Sequence, residues 1–266
     1  MRAGRVTLWC IVMGLLWGCG AEPPSSPEPC ITLYGSPTAS TGLNSEQCRP
    51  SCPCTGWSYE PPSQVTLDAW RSAPLPAQPS LTKDPYLNPV PPVSSGVCGV
   101  LWSADGSYEL VSAVDEAELA SLNAPITHHG SCGLCSTLKD LAVYSSQPDL
   151  TDPVRNCGLA HITDLVGTQK CLESIGFSAG CAAIWAYNTQ HTRQKCLDLC
   201  IKALNAPHHG GDGELNACLQ CDEDQSGPIF KAIAGRTRRN SGLPSALCRP
   251  CESVAQIRHH ELQNAP

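Results

Sequence analysis

Bulky hydrophobic side chains and charged side chains are both scarce in this sequence. The 266 residues include only two phenylalanines and two methionines, and aromatic residues make up 5% of the chain. This composition argues against a large hydrophobic core as the main source of stability. Charged residues amount to 15% with a net charge of −7, and this acidic balance argues against a nucleic-acid partner. No P-loop and no H-E-x-x-H zinc motif occurs either.

The N-terminus has the pattern of a secretory signal. Arg2 and Arg5 precede the apolar run VTLWCIVMGLLWG, which is too short to span a bilayer as a mature helix. The residues LWGC at 16–19 resemble the lipobox of bacterial lipoproteins. The resemblance implies that residues 1–18 are removed and that Cys19 becomes the first mature residue and carries the lipid. Gly20, where an aspartate would resemble an inner-membrane retention signal, favours the outer membrane or cell surface; an ordinary signal peptide cleaved nearby is the alternative.

Cysteine is abundant where bulky apolar residues are not. With Cys10 in the signal and Cys19 acylated, 16 of the 18 cysteines remain. They form two even groups, four from Cys30 to Cys54 and twelve from Cys98 to Cys251. Even counts in an exported chain indicate a disulfide framework, whose connectivity the sequence leaves open.

Proline divides the mature chain into two parts. Residues 20–97 contain 16 of the 24 prolines, and such a composition favours extended conformations. We therefore predict a Pro-rich tether over residues 19–97, interrupted by a small cysteine-rich clasp with bridges of its own. Residues 98–266 are predicted to form a disulfide-rich helical domain.

The second part has helical periodicity and one hairpin signal. Asp105 and Gly106 between two apolar runs indicate a β-hairpin. Cys196 and Cys200 lie on one face of the longest helical pattern, from which they should reach a neighbouring helix. Helices are predicted over residues 115–123, 136–144, 152–161, 178–205, 214–221, 229–235 and 245–260. The fold class is therefore mainly α, a small disulfide-stapled helical domain with a short β-hairpin.

Adjacent histidines followed by a Cys-x-x-Cys pair suggest a metal site. Imidazole and thiolate are ligands that Zn and Cu prefer. Adjacent residues of a strand point to opposite faces, so at most one histidine of a pair joins the cysteines without a turn. The competing interpretation is disulfides with histidines beside them, which leaves only a histidine site for Zn or Cu. The candidate histidine ligands are His128, His129, His208 and His209.

The same segment also has a redox interpretation. Cys132 and Cys135 stand as Cys-Gly-x-Cys at the start of a predicted helix, whose dipole lowers a thiol pKa. This is similar to the thioredoxin-like active site and implies a thiol–disulfide oxidoreductase. Ser131 stands where that family has an aromatic residue, and no βαβ pattern surrounds the motif.

An acidic segment, CDEDQSGPIF, suggests a calcium site. Asp222, Asp224 and Ser226 match the first, third and fifth positions of the EF-hand loop. The closing glutamate is replaced by Ile233, which predicts weak affinity for Ca²⁺. The alternative is an acidic turn that precedes a helix.

Basic residues cluster in KAIAGRTRRNSG, in a chain that has few of them. Arginine binds phosphate and carboxylate groups through two parallel hydrogen bonds. The cluster therefore predicts an anionic ligand; cations at a helix C-terminus, paired with nearby acids, are the alternative. The candidate ligand-binding residues are Lys231, Arg236, Arg238 and Arg239.

These motifs favour a binding or interaction module at the envelope, held to the membrane by its N-terminal lipid. Its ligand would be a metal ion, an anionic small molecule or an envelope component. The rival interpretation is a secreted enzyme that combines a histidine of the HHG segment with the arginine cluster. In that case His128 or His129 is the expected general base, assisted by Arg155 and His161 from one helix.

Overall fold

A computed structural model describes residues 32–89 and 95–263. The predicted signal peptide, Cys19 and Cys30 lie outside these residues. The described chain is mainly helical, with eight α-helices and eight short strands. The helices are α1 Gln64–Ser72, α2 Glu116–Ser121, α3 Leu138–Ser146, α4 Thr151–Ala160, α5 Leu165–Ile175, α6 Ala179–Lys202, α7 Ala217–Gln225 and α8 Gly227–Ala234. The strands are β1 Leu33–Tyr34, β2 Cys48–Arg49, β3 Ser51–Cys52, β4 Trp57–Ser58, β5 Val97–Trp102, β6 Tyr108–Ala113, β7 Ile126–His129 and β8 Arg249–Pro250.

Side-chain caps fix where several helices begin. Asp115, Thr137 and Ser178 accept hydrogen bonds from backbone N–H groups of α2, α3 and α6. α4 begins at Thr151, one residue earlier than predicted, because the Asp149 carboxylate accepts from the Thr151 N–H. α6 has 24 residues and is therefore about 36 Å long.

The hairpin is confirmed and extended by a third strand. β5 pairs antiparallel with β6 around the turn at Gly106, whose φ is +81°, and β7 pairs with the other edge of β5. This three-stranded sheet has the order β6-β5-β7. It carries the HHG segment, because His128 and His129 are the last two residues of β7.

The prediction of a helix over residues 245–260 is wrong. This segment pairs with β1 through β8 and otherwise forms short 3₁₀ turns at Cys251–Ser253 and His260–Gln263. Pro250 cannot donate a helical backbone hydrogen bond, and two disulfides hold the segment against the N-terminal part of the chain.

The N-terminal cysteine segment is joined to the helical part of the fold. Cys48 bonds to Cys248 and Cys52 bonds to Cys251, so the expectation that the clasp is bridged within itself is wrong for these two bonds. β1 lies between β2 and β8 in one sheet. On α1, Trp70 is buried in the main core and donates from Nε1 to the Leu262 carbonyl. This arrangement was not predicted, because the spacing of cysteines in the sequence does not reveal which distant cysteines bond to each other.

Each Cys-x-x-Cys pair attaches its segment at two points. The cysteines at 218 and 221 bond to Cys200 and Cys196, as expected from their shared face on α6. The three pairs are 132/135, 218/221 and 248/251, and in none of them do the two cysteines bond to each other. The seven described disulfides indicate folding in an oxidising compartment. They are Cys48–Cys248, Cys52–Cys251, Cys98–Cys132, Cys135–Cys181, Cys157–Cys171, Cys196–Cys221 and Cys200–Cys218.

Between residues 32 and 89 and between 95 and 263, no helix combines the length and apolar character needed to cross a membrane.

Candidate functional site

A cavity of about 390 Å³ lies between α4, α6, the α7–α8 pair and the C-terminal loop. Its volume falls within the range of small-molecule sites, about 300–1,000 Å³. One stripe of α6 forms a wall along most of that helix, from Trp185 to Ile201. Phe230 of α8 packs on Trp185 at the inner end, with ring centroids 4.6 Å apart.

The walls of the cavity are largely apolar, and its outer end is exposed. Leu159 and Ile162 at the end of α4 face the same cavity as Leu197 and Ile201 on α6. All four are about half exposed, with relative exposures of 48–56%. Large aliphatic side chains grouped in this way on an exposed rim are typical of a site that covers apolar surface.

A glycine sets the distance between the two long walls. A Cβ atom on Gly158 of α4 would lie 2.3 Å from the Thr189 methyl carbon on α6, which is closer than real Cβ contacts allow. Glycine at this position therefore lets the helices approach closely, and a larger residue would move one wall of the cavity.

The charged residues of the lining are mostly cationic. Among the residues that the structure describes, six lysines and arginines border the cavity and two carboxylates do, although the whole chain has a net charge of −7. The two carboxylates are Asp222 and Glu223, and the cations are Arg155, Arg193, Lys231, Arg238, Arg239 and Arg249. Three of the four predicted ligand-binding residues are thus brought together at one cavity.

Several of these cations already have carboxylate partners. Glu223 holds Arg249 at 2.6 Å and Lys231 at 3.6 Å. Arg155 pairs with Asp152 at 3.1 Å. These pairs offset part of the positive charge of the lining.

The other three arginines of the lining, Arg193, Arg238 and Arg239, have no carboxylate in contact within the described part of the chain. Arg238 donates only to main-chain carbonyls, of Tyr144, Gln147 and Pro244, and burial lowers its pKa to about 10. The half-buried Arg239 side chain makes no hydrogen bond or ion pair with any residue that the structure describes. The cavity therefore presents positive charge that no described carboxylate neutralises.

Arg236, the fourth predicted ligand-binding residue, lies elsewhere. Its side chain is fully buried, and its guanidinium donates to the carbonyls of Cys135, Thr127 and Ser136 and to the Ser241 hydroxyl. Burial lowers the pKa of Arg236 to about 10. These hydrogen bonds join the α8–β8 loop to the segment after β7, which is a structural role.

His128 belongs to the same buried cluster. Its Nδ1–H donates to the His129 carbonyl at 2.9 Å, so Nε2 accepts from the Ser136 hydroxyl at 2.7 Å. Burial and the nearby Arg236 charge hold the pKa of His128 well below 6.5. His129 points to the other face of the strand, as expected, and contacts Glu116 at 3.3 Å.

The second histidine pair is also engaged with its surroundings. His208 is buried and its Nε2 lies 2.9 Å from Asp149 Oδ2. His209 donates from Nδ1 to the Gly213 carbonyl and accepts at Nε2 from the Cys248 N–H. Both histidines thus contribute to holding the loop between α6 and α7.

The predicted metal and redox residues are not assembled into such sites. Cys132 bonds to Cys98 and Cys135 bonds to Cys181. α7 continues through Asp222 and Asp224, so the calcium loop is not formed, and Asp224 instead accepts from Gln220. Over residues 32–89 and 95–263, no three His, Cys, Asp or Glu side chains are grouped to hold a metal ion.

The residues of the enzyme hypothesis are separated in the structure. Arg155 lines the cavity described above, whereas His161 lines a neighbouring cavity of about 410 Å³, with Arg193 bordering both. Neither His128 nor His129 is among the described residues that line either cavity.

One motif escaped the sequence analysis. Residues 176–180, GFSAG, have the G-x-S-x-G spacing of a nucleophile elbow. The elbow requires a strand before the serine, whereas here α5 precedes it and Ser178 caps α6. The buried Ser178 hydroxyl donates to Asp140 at 2.8 Å, so it links two helices.

Two polar residues of the cavity were likewise not predicted as site residues. Asn188 and Thr192 on α6 both donate to Oδ1 of Asp222, the former at 3.1 Å. Their four-residue spacing on one face was the available signal.

The fold and cavity define a disulfide-stabilised, mainly helical domain with a cationic, apolar-walled cavity. Residues 166–257, about a third of the chain, are similar to a family described as a family of unknown function, DUF8771. The matched region includes α6, α7, α8 and the arginine cluster, whereas the α4 wall lies outside it. No curated protein and no solved structure matches the chain.

Proposed function

We propose that this chain is an exported binding protein whose cavity takes an anionic amphiphile, a molecule with an acidic group and an apolar body. The observation that carries the proposal is the lining, in which six cations and two carboxylates stand among apolar walls. Charge complementarity selects the acidic group, and burial of the body supplies affinity of about 0.8 kcal/mol per methylene group.

Arg239 is the residue best placed to bind the acidic group. It lines the cavity and lacks a carboxylate partner in the described residues, so binding an anion breaks no existing ion pair. Glu223 pairs with Arg249 and Lys231 nearby and offsets one of their two charges. The apolar body then extends along α6 towards Leu197 and Ile201.

Calorimetric titration of the purified protein with decanoate and with decanol tests the proposal. Decanoate should bind more tightly, because only the acid meets the arginines. Arg239→Gln should weaken decanoate binding about tenfold, the value of one charge-assisted hydrogen bond, and leave decanol unchanged. Arg71→Gln, which removes an exposed arginine paired with Asp68 on α1, is the matched control and should change neither. Absence of binding, or equal loss for acid and alcohol, would contradict the proposal.

The same proposal places the protein at the outer membrane or cell surface, attached by lipid on Cys19. The LWGC motif supports this assignment. The test is to measure the mass of the N-terminal peptide of the mature protein. We expect this peptide to begin at Cys19 and to carry acyl groups. An unmodified mature N-terminus at another residue would contradict the anchor but leave the binding proposal intact.

A further inference from the structure

One carboxylate in the cavity wall has an oxygen without a partner. Oδ1 of Asp222 accepts from both Thr192 and Asn188. Oδ2 receives no hydrogen bond from residues 32–89 or 95–263, and Asp222 is half-buried and lines the cavity. An unpaired carboxylate oxygen at a cavity wall is available to accept a hydrogen bond from water or a ligand.

A network behind Asp222 fixes its orientation. The Tyr86 hydroxyl donates to Asn188 Oδ1 at 2.7 Å, and the Tyr86 ring stacks on His191 with centroids 4.1 Å apart. His191 Nδ1 and Thr192 Oγ1 lie 2.9 and 3.0 Å from the Ser226 hydroxyl. Because both donors to Oδ1 are held in this way, the position of Oδ2 is preorganised.

Asp222 lies near the cationic part of the lining, because the charges of Lys231 and Glu223 both act on its carboxyl group. Asp222 precedes Glu223, whose carboxylate contacts Arg249 and Lys231, and the positive charge of Arg239 acts on Arg249. A ligand whose acidic group binds these arginines therefore places its next few bonds near Asp222.

We propose that the ligand is a hydroxylated amphiphilic acid, with its hydroxyl a few bonds from the acidic group, and that Asp222 selects it through Oδ2. This inference rests on the proposed function. A hydroxyl both donates and accepts, so it pairs with either protonation state of the carboxyl group. Burial raises the pKa of Asp222, and the proton of the neutral form goes to Oδ2 because Oδ1 already accepts two hydrogen bonds.

The test compares β-hydroxydecanoate with decanoate by calorimetry at pH 8. The wild-type protein should bind the hydroxy acid about 10- to 100-fold more tightly, as expected for one hydrogen bond to a charged acceptor. Asp222→Asn keeps the acceptor for Thr192 and Asn188 but removes the charge, so the preference should fall about tenfold. Taking the ratio of the two affinities cancels the general effect of removing a negative charge from the cavity.

Asp224→Asn is the matched control, since Asp224 is exposed on the same helix and outside the cavity lining; it should leave the preference unchanged. Equal affinity of the wild-type protein for the two acids would overturn the inference and leave the proposed function standing. This comparison does not depend on whether any variant folds. An unchanged preference in Asp222→Asn would also overturn it. If neither acid binds the wild-type protein, the proposed function and this inference fail together.

Discussion

Arg236 and Arg239, which are three residues apart in the sequence, have opposite surroundings. Arg236 is fully buried and meets four acceptors, three of them main-chain carbonyls. Arg238 also donates to carbonyls but borders the cavity, and Arg239 beside it meets none in the described chain. The comparison shows that the partners available in the fold, rather than the basic run itself, decide which cation is structural and which is available to a ligand.

The two regions also treat charge differently. Around Arg236 the two neighbouring buried histidines stay neutral, because burial and the arginine charge lower the pKa values of His128 and His259. Around Arg239 and Arg249 the cavity keeps several cations close together, with Glu223 as a partial counter-charge. In the first region the guanidinium is bonded to four protein acceptors, whereas the second region has an excess of positive charge.

Removing the buried guanidinium should have the largest effect. Arg236→Met leaves the carbonyls of Cys135, Thr127 and Ser136 without these donors in the interior. At about 1–3 kcal/mol for each unsatisfied group, partly relieved by relaxation, we expect a loss of about 4 kcal/mol in the free energy of unfolding. Denaturation by guanidinium chloride measures this. Arg71→Met, at an exposed ion pair, should cost less than about 1 kcal/mol. A similar cost for both variants would show that the buried cluster is not structural.

Acid should destabilise the same closed region through His259. Burial lowers its pKa from 6.5 to about 4. Below pH 6.5 the unfolded chain binds a proton that the folded protein does not, so stability falls as pH falls towards 4. At pH 5 this one residue should cost about 2 kcal/mol relative to pH 8.

His259→Gln removes that titration while retaining a donor for the Ser241 carbonyl, which His259 contacts at 3.0 Å. The loss of unfolding free energy between pH 8 and pH 5 should therefore be about 2 kcal/mol smaller in this variant. His260→Gln, at the exposed neighbour, serves as the control. If the two variants have the same pH dependence as the wild-type protein, His259 is not held neutral.

Local patterns were sufficient for several elements of the fold. Asp115 predicts the start of α2 and the Asp105-Gly106 turn predicts the hairpin, because both features depend on neighbours within a few residues. Cys196 and Cys200 were expected to bond to another helix for the same reason, and they meet the cysteines of α7. Helical spacing places such residues on one face whatever the rest of the chain does.

Long-range partners could not be read in this way. Cys48 meets Cys248 across 200 residues, and no spacing rule identifies that pair. Asp222 fits the first position of a calcium loop in sequence, but in the fold it lies in α7 and bonds to Thr192 on another helix. Of the candidate site, the sequence found the basic residues but not the apolar walls or the carboxylate among them, since these come together only when α4, α6 and α7 pack.

The smallest expected effect concerns the partial counter-charge of the open region. Glu223→Gln releases Arg249 and Lys231 from their carboxylate, so the cavity becomes more positive and decanoate should bind about threefold more tightly. The gain is modest because Lys231 is exposed and water screens its charge. Calorimetry with decanoate and decanol measures it, and Asp224→Asn, which makes the same change in net charge outside the cavity, should have little effect. Weaker binding of decanoate to Glu223→Gln would mean that the main role of Glu223 is to position Arg249 and Lys231 for the ligand. A carboxylate that only competed with decanoate for these cations would weaken decanoate binding, so its removal could not weaken binding further.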